Sequence, residues 1–353
     1  MKVNSQSLGD VRRIQLTGRG SYVISIPKNW VDDLQLAKGE QINMVRQGNS
    51  LILTPLTLSK RKETTEIEFT MSSEDADSVL RKLVSLYLVG YNIIRIRSKE
   101  NRPILRLRDT IREFARNNFV GTEVITESSE EIVLQVLLSY PELSVENVLR
   151  RMITIASSMH KDAILSLGEG RKDLAQEVIK LDSEVDRFSF YVIRQLKLAV
   201  THQDIIEDIG LKSPRDCLGF RLIVKSVERI ADHAARIAEN TLEMSDKVDS
   251  RLFEAMSKMS DLVNDLFERA CAALFNRDYI SAEKVLRNEV KMEASETNLI
   301  RRILHQTSDV ADASRLRLIL ESLRRIGEYS ADIAEVVLNL TVTKAYSSQP
   351  NVK

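Results

Sequence analysis

The chain of 353 residues is poor in cysteine, in aromatic residues and in net charge. It has two cysteines, Cys217 and Cys271, one tryptophan, and 51 basic residues that balance 51 acidic ones. Two cysteines exclude a disulfide framework and a four-cysteine zinc site. A balanced charge gives no global attraction to nucleic acid, so any contact with DNA must be local.

Long apolar stretches are also missing. No run approaches the roughly eighteen apolar residues of a membrane-spanning helix, and the N-terminal sequence MKVNSQSLGD lacks the apolar core of a signal peptide. Together with the scarcity of cysteine, this predicts a soluble, cytoplasmic protein that does not insert into a membrane.

The sequence contains no signature of an enzyme. Its four histidines are scattered singly, without the HExxH spacing of a zinc protease. A glycine-rich phosphate cradle, a nucleophile elbow and a catalytic triad signature are also missing. We therefore predict a protein without catalytic activity.

Glycine and proline divide the chain into regions of different structure. Five glycines and two prolines fall within the first 56 residues, which favours short strands joined by turns. From residue 143 to 345 the one proline is Pro214, and apolar residues recur at helical spacing, so this half is predicted to be helical. The predicted fold is a multidomain α+β protein. The predicted domains are 1–58, 59–142, 143–246 and 247–345, followed by a tail at 346–353.

The segment between these halves is predicted to be a small α+β domain that serves as a spacer or a dimerisation domain. Its apolar patterns predict strands at 67–71, 91–97, 122–126 and 131–138 and helices at 74–88 and 105–118.

The N-terminal region is predicted to form two hairpins around a short helix. Strands at 12–17 and 21–26 flank a glycine turn, Pro27 opens a helix at 28–34, and Gly48-Asn49 closes a second strand pair. Trp30 is expected to fill the core of this domain. Because about 45 residues can hardly bury a core alone, an obligate homodimer is expected.

The sequences RRIQLTGRGSYVISIPKNW, LAKGEQINM and NSLILTP resemble the AbrB/SpoVT family of swapped-hairpin dimers, over residues 8–56. The resemblance implies that the DNA-facing positions of that family are occupied here by Arg12, Arg13, Arg19 and Lys28. Such side chains neutralise phosphates and read some bases. Residues 1–60 are locally basic, with eight basic and four acidic residues. The alternative is that these are solvated charges on a domain that serves only dimerisation.

The C-terminal half is predicted to be a tandem repeat of three helices. The segment RIADHAARIAE at 229–239 aligns with RIGEYSADIAE at 325–335, and VIKLDSEVD at 178–186 aligns with VLRNEVKME at 285–293. A duplicated antiparallel three-helix bundle follows. The predicted helices are 144–167, 171–201, 213–244, 249–276, 279–306 and 310–342.

Acidic residues recur one helical turn apart in this half. Asp182 and Asp186 lie on the second predicted helix, and Glu228 and Asp232 lie on the third. Each follows an apolar residue of the buried stripe, so the carboxylates border the helix interface. If the two helices meet there, four carboxylates converge and need a cation, supplied by Arg229 or by a bound metal such as Mg, Mn or Fe.

The second repeat carries a similar but incomplete set. Glu289, Glu293 and Glu328 occupy the matching positions, whereas Arg324 replaces the carboxylate that corresponds to Glu228. The second site is therefore predicted to be poorer by one ligand.

The two acidic helix signatures, together with DCLGFRLIVKSVERIADHAARIAEN, resemble the PhoU family over about residues 145–342. In that family such signatures build multinuclear metal clusters. The resemblance implies Fe, Mn, Mg or Zn ions as cofactors. It assigns the first cluster to Asp182, Asp186, Glu228 and Asp232, and the second to Glu289, Glu293 and Glu328. The alternative is that these acids are solvated helix faces or form salt bridges within one helix.

A PhoU-like bundle joined to an AbrB-like dimer resembles archaeal-type phosphate uptake regulators. This resemblance implies a DNA-binding transcriptional regulator that represses phosphate transport and senses phosphate status through metal bound in the helical half. Its implied partners are a second copy of the chain, DNA and the phosphate ABC transporter. Two alternatives stand beside it: an adaptor that docks on the transporter without binding DNA, and a bundle that stores or buffers metal.

Overall fold

The computed structural model describes residues 10–18, 20–56, 65–71, 75–98, 107–137, 143–201, 205–289 and 291–347. The chain divides into two compact units, Met1–Thr64 and Thr65–Lys353. Among the described residues, no helix is both long enough and apolar enough to cross a membrane.

The first unit consists of two β-hairpins and a short helix. β1 pairs antiparallel with β2, and β3 pairs antiparallel with β4. Gly18 (φ 66°) and Gly48 (φ 58°) take the left-handed conformation at the two turns, which glycine adopts at little cost. The predicted hairpins and helix are confirmed, with shorter first strands. The elements are β1 (Gln15–Thr17), β2 (Ser21–Val23), α1 (Lys28–Asp33), β3 (Ile42–Gln47) and β4 (Ser50–Pro55).

The first unit buries very little of its apolar surface within one chain. Among its described side chains, only Pro27 and Pro55 are buried, while Tyr22 is 72% exposed and Met44 is 69% exposed. Trp30 is 42% exposed, so the prediction that it fills a core is wrong for the single chain. Two separate two-stranded sheets do not enclose a space for an indole ring.

The second unit begins with a four-stranded sheet and two helices. The strand order is β5-β6-β8-β7, in which β5 is parallel to β6 and the other neighbours are antiparallel. The parallel pair requires a crossover, and α2 provides it. The predicted α+β segment is thereby confirmed. Its elements are β5 (Glu66–Met71), α2 (Ala76–Val89), β6 (Ile93–Ser98), α3 (Arg108–Asn118), β7 (Thr122–Glu127) and β8 (Glu131–Val136).

The rest of the second unit is helical, as the sequence predicts. Two details differ: the short helix α6 is added, and the helix predicted at 279–306 is assigned as α9 and α10 on either side of residue 290, which lies outside the described residues. The helices are α4 (Val145–Glu169), α5 (Lys172–Thr201), α6 (Ile205–Asp208), α7 (Pro214–Glu243), α8 (Ser250–Asn276), α9 (Tyr279–Glu289), α10 (Lys291–Gln306) and α11 (Val310–Ser347).

The start of α7 is fixed by its sequence. The Ser213 hydroxyl accepts a hydrogen bond from the backbone N–H of Asp216, and Pro214 occupies the first helical turn, where its missing N–H costs nothing. From there the apolar stripe through Val227, Ile230 and Ala231 is fully buried. This burial sets which face of α7 meets its neighbours.

The two repeats pack with different side chains at equivalent places. Val185 and Ala231 are buried in the first repeat, and Met292 and Gly327 take their positions in the second. A Cβ on Gly327 would lie 2.3 Å from the Met292 sulfur, so the methionine fills the volume that glycine leaves open.

The third helices of the two repeats, α7 and α11, also pack on each other. His233 and Tyr329, which align between the repeats, have ring centroids 5.8 Å apart. Equivalent residues of the two repeats therefore meet each other at the interface between α7 and α11.

Candidate metal and nucleic-acid sites

The first acidic set lies between α5 and α7. Asp182 and Asp186 are one turn apart on α5, and Glu228 and Asp232 are one turn apart on α7. All four are half-buried, because each is next to a residue of the packed interface. The bundle therefore holds the carboxylates at the rim of its core.

Three of these carboxylates are close enough to share one ion. One oxygen each of Asp186, Glu228 and Asp232 lie within 4.8 Å of one another, the one such group found among the described residues. Asp182 is outside this group of three, yet it interacts electrostatically with all of them. The structure thus brings together three of the four residues that the sequence assigns to the first site, with Asp182 near them.

Burial and the proximity of these acids to one another raise their pKa values. Burial, and after it the charges of Asp232, Asp186 and Glu228, raises the pKa of Asp182 to about 7. Burial, Glu228 and Asp232 raise the pKa of Asp186 to about 6. The pKa of Asp232 is also raised, by burial first and Glu228 second. The site has more negative charge than its own cations neutralise.

Glu228 is only partly satisfied by protein groups. The Lys225 ammonium donates a hydrogen bond to its Oε1 atom. Its Oε2 atom is buried and has no hydrogen-bond partner among the described residues. A buried carboxylate oxygen without a donor is unfavourable, and a bound cation would satisfy it.

The donor set fits a hard or borderline metal ion. Carboxylate oxygens are the ligands of Mg²⁺ and Mn²⁺, and they also bind Fe and Zn. When bound, such an ion would neutralise the repulsion between α5 and α7 and would join the two helices. The residues that would hold it are Asp186, Glu228 and Asp232, with Asp182 beside them.

Two residues of this site were not predicted. Glu239 is close enough to raise the pKa of Asp182, and Lys225 neutralises part of Glu228. Both follow from helical spacing, because Glu239 is seven residues after Asp232 and Lys225 is three residues before Glu228.

The second acidic set is arranged differently. Both oxygens of Glu328 accept hydrogen bonds from arginines: Oε1 from Arg324 and Oε2 from Arg325, the latter at 2.9 Å. Arg324 also pairs with Glu296 at 3.4 Å. Glu289 ends α9 and Glu293 lies in the first turn of α10, but their side chains are outside the described part of the structure. The second site stays a prediction.

The predicted DNA-facing residues lie in the first unit. Arg12, Arg13 and Lys28 are exposed, and Arg19 lies outside the described residues. Arg12 forms an ion pair with Asp10 at 2.6 Å. Lys28 begins α1, directly after Pro27.

Comparisons with known proteins match both halves of the chain. A model of the PhoU domain matches residues 149–241 and 256–337, which are the two three-helix repeats. A model described as antidote-toxin recognition MazE, bacterial antitoxin, matches residues 15–75.

Relatives of known sequence and structure match the helical half. The chain is 25% identical over 203 residues to a phosphate-specific transport system accessory protein PhoU homolog of Deinococcus radiodurans, covering 55% of this chain and 88% of that protein. It is 23% identical over 180 residues to PhoU homolog 2 of Methanothermobacter thermautotrophicus, covering 50% and 76%. The crystal structure of PhoU from Pseudomonas aeruginosa shares the fold, with a TM-score of 0.50 and 20% identity over 56% of this chain and 96% of that one.

Proposed function

Because the chain belongs to the PhoU family and carries an N-terminal hairpin domain, we propose that it regulates phosphate uptake as a DNA-binding transcriptional repressor of phosphate transport. In this proposal the helical half senses phosphate status with bound metal, and the N-terminal unit contacts operator DNA. In this proposal the protein acts by binding DNA and metal, and it does not convert a substrate.

The observation that carries the proposal is the carboxylate site on the first PhoU-domain repeat. One oxygen each of Asp186, Glu228 and Asp232 lie within 4.8 Å of one another, and among the described residues nothing donates a hydrogen bond to the buried Oε2 atom of Glu228. This arrangement supports metal binding at the first site. The weaker second site, at Glu289, Glu293 and Glu328, is proposed on the repeat alignment alone.

Dimerisation and DNA contact are proposed for the N-terminal unit. Its apolar side chains are exposed in the single chain, and a second copy would cover them. Arg12, Arg13, Arg19 and Lys28 would then be presented twice, related by a two-fold axis, which matches the two half-sites of a palindromic operator. The match to an antitoxin family model over residues 15–75 supports this assignment.

The test is to sequence the DNA that co-purifies with the protein from cells grown with ample and with scarce phosphate. We expect enrichment of promoters of phosphate transport genes, and we expect the enrichment to change with phosphate. A variant in which Arg12, Arg13, Arg19 and Lys28 are all alanine should lose this DNA while remaining dimeric.

A second function is an adaptor that docks on the phosphate ABC transporter. The names of the relatives favour it, because they are called accessory proteins of the phosphate-specific transport system. In this case the N-terminal unit serves only dimerisation. Absence of promoter enrichment in both growth conditions, with the protein folded and dimeric, would favour the adaptor, and the fourfold alanine variant would then retain its function.

A further inference from the structure

The acidic pair on α5 is the beginning of a longer stripe along that helix. Asp182, Asp186, Phe190, Arg194 and Leu198 follow one another at intervals of four residues. Residues four apart on a helix are neighbours, but each step turns about 40° round the axis, so this row winds round α5 from the side that faces α7 towards the side that faces the α+β segment. From Asp182 to Leu198 the stripe covers about 24 Å, at about 1.5 Å per residue. We call these five residues the α5 stripe.

Arg194 attaches the α+β segment to the helical bundle. Its guanidinium donates hydrogen bonds to the backbone oxygens of Tyr87 and Gly90, the latter at 3.0 Å, and to Oδ1 of Asn92 at 2.7 Å. The same group lies 4.9 Å from the centre of the Tyr87 ring. Arg194 is 3% exposed. The end of α2 and the loop into β6 are therefore held by one buried side chain from α5.

Leu198 and Phe190 complete this attachment. Gly90 ends α2 with a φ of 115°, and a Cβ at that position would lie 2.5 Å from a methyl carbon of Leu198. The leucine is therefore in direct contact with the backbone. On the other side of Arg194, Phe190 packs into the core of the α+β segment, with its ring 6.5 Å from that of Phe119.

At the opposite end of the α5 stripe, the repulsion between the carboxylates depends on the distance between α5 and α7. Asp186 comes from α5, whereas Glu228 and Asp232 come from α7, and their oxygens lie within 4.8 Å. Like charges at this separation push the two helices apart, and a cation between them draws the helices together. Ion binding therefore acts on the position of α5.

We propose that metal binding at the carboxylate site strengthens the docking of the α+β segment on α5, so that this segment responds to the occupancy of the site. The inference rests on the metal site of the proposed function. α5 contains no proline or glycine over its 30 residues, so nothing in its sequence introduces a hinge between Asp186 and Phe190. Coupling of this kind is reciprocal: docking of the segment must favour metal binding by the same factor.

The primary test is hydrogen exchange of the full-length protein, followed by mass spectrometry, with and without Mn²⁺. We expect Mn²⁺ to slow exchange in peptides that cover residues 86–98 by at least about fivefold, because exchange there reports local opening of the docked segment. Asp186→Asn should abolish the slowing. Glu184→Gln should preserve it, because Glu184 is an exposed carboxylate on the same helix outside the α5 stripe.

The reciprocal test measures Mn²⁺ affinity by titration calorimetry. Arg194→Gln, or Leu198→Ala if the first variant does not fold, should weaken Mn²⁺ binding by up to the factor by which Mn²⁺ slows exchange, and by all of it where the segment undocks completely. Binding of Mn²⁺ to the wild-type protein with unchanged exchange over residues 86–98 would overturn the coupling and leave the metal site standing. Absence of Mn²⁺ binding would overturn both.

Discussion

Asp182 is a carboxylic acid that holds its proton unusually tightly. Burial and four neighbouring acids raise its pKa from an ordinary 3.8 to about 7, and the pKa of Asp186 is raised to about 6. At neutral pH protons would compete with a metal ion for this site, since both neutralise the same oxygens. A metal ion that binds there would displace the protons that these acids still hold.

The raised pKa values predict a pH dependence of stability in the metal-free protein. The folded chain binds these protons more tightly than the unfolded chain, so their contribution is complete below pH 3.8 and is lost as the pH rises through about 7 for Asp182. We expect the melting temperature of chelator-treated protein to fall across this range. Asp182→Asn should flatten the curve, and parallel curves for the two proteins would contradict the assignment.

Metal addition is predicted to stabilise the protein through the same residues. Mn²⁺ at a hundredfold excess over its Kd should raise the free energy of unfolding by about 2.7 kcal/mol, because the ion binds the folded chain. Calorimetric melting measures this gain. Asp186→Asn should remove it, whereas Glu184→Gln, which affects only an exposed ion pair with Arg151 at 3.7 Å, should not. An equal gain in all three proteins would place the metal elsewhere.

At the residue scale, the sequence was informative where helical spacing decides position. Two acids four residues apart on one helix must lie on the same face of that helix. The carboxylates of Asp186, from one such pair, and of Glu228 and Asp232, from the other, do lie close together. The partners of the second set were harder to predict, because the replacement of one carboxylate by Arg324 leaves open which acids the arginine contacts. It pairs with Glu296, which the acidic signature does not include.

At the scale of helices, the two repeats fill equivalent core positions with side chains of different size. The pair Val185 and Ala231 in the first repeat corresponds to Met292 and Gly327 in the second. A larger side chain on one helix is matched by a smaller one on its neighbour. Close packing of this kind leaves no room for a change on one helix alone.

Gly327→Ala is predicted to destabilise the protein by about 1–3 kcal/mol, since the new Cβ would lie 2.3 Å from the Met292 sulfur. Chemical denaturation measures the loss. Met292→Val in the same chain should restore most of it, because the double variant reproduces the Val185–Ala231 pair of the first repeat. Failure of the second substitution to compensate would show that the glycine serves another purpose.

The order and type of the elements followed from local sequence signals. Proline and serine at the start of α7, the glycine turns of the hairpins and the alternation in the sheet all act over a few residues. The attachment of the α+β segment to α5 could not be predicted in this way. It depends on Arg194 meeting backbone oxygens more than a hundred residues earlier in the chain, which no local pattern encodes.

At the scale of the whole molecule, the N-terminal unit differs from the rest in how little it buries. Its exposed apolar residues include Leu16, Tyr22, Met44 and Leu51, on all four strands. A region of this size needs a second copy to exclude water from such surface. The fold of each hairpin was predictable from turn chemistry, and the lack of a complete core from the small size of the region, whereas the exposure of Trp30 was evident only once burial was known.

We therefore predict a dimer whose stability depends on protein concentration. Sedimentation equilibrium should give twice the mass of 40.1 kDa, and the melting temperature of the N-terminal unit should rise with concentration. Replacing Met44 and Leu51 with glutamate should yield monomers that keep the helical content of the second unit. A wild-type protein that stays monomeric at high concentration would contradict this prediction.

The two repeats differ in how their carboxylates are neutralised. In the second repeat Arg324 and Arg325 bind both oxygens of Glu328, whereas in the first repeat Oε2 of Glu228 has no hydrogen-bond donor in the part of the chain that the structure describes. The two repeats meet through the rings of His233 and Tyr329, whose centroids are 5.8 Å apart. The duplicated bundle is therefore electrostatically asymmetric: a cation from solution would change the charge balance at the carboxylates of the first repeat more than at Glu328 of the second.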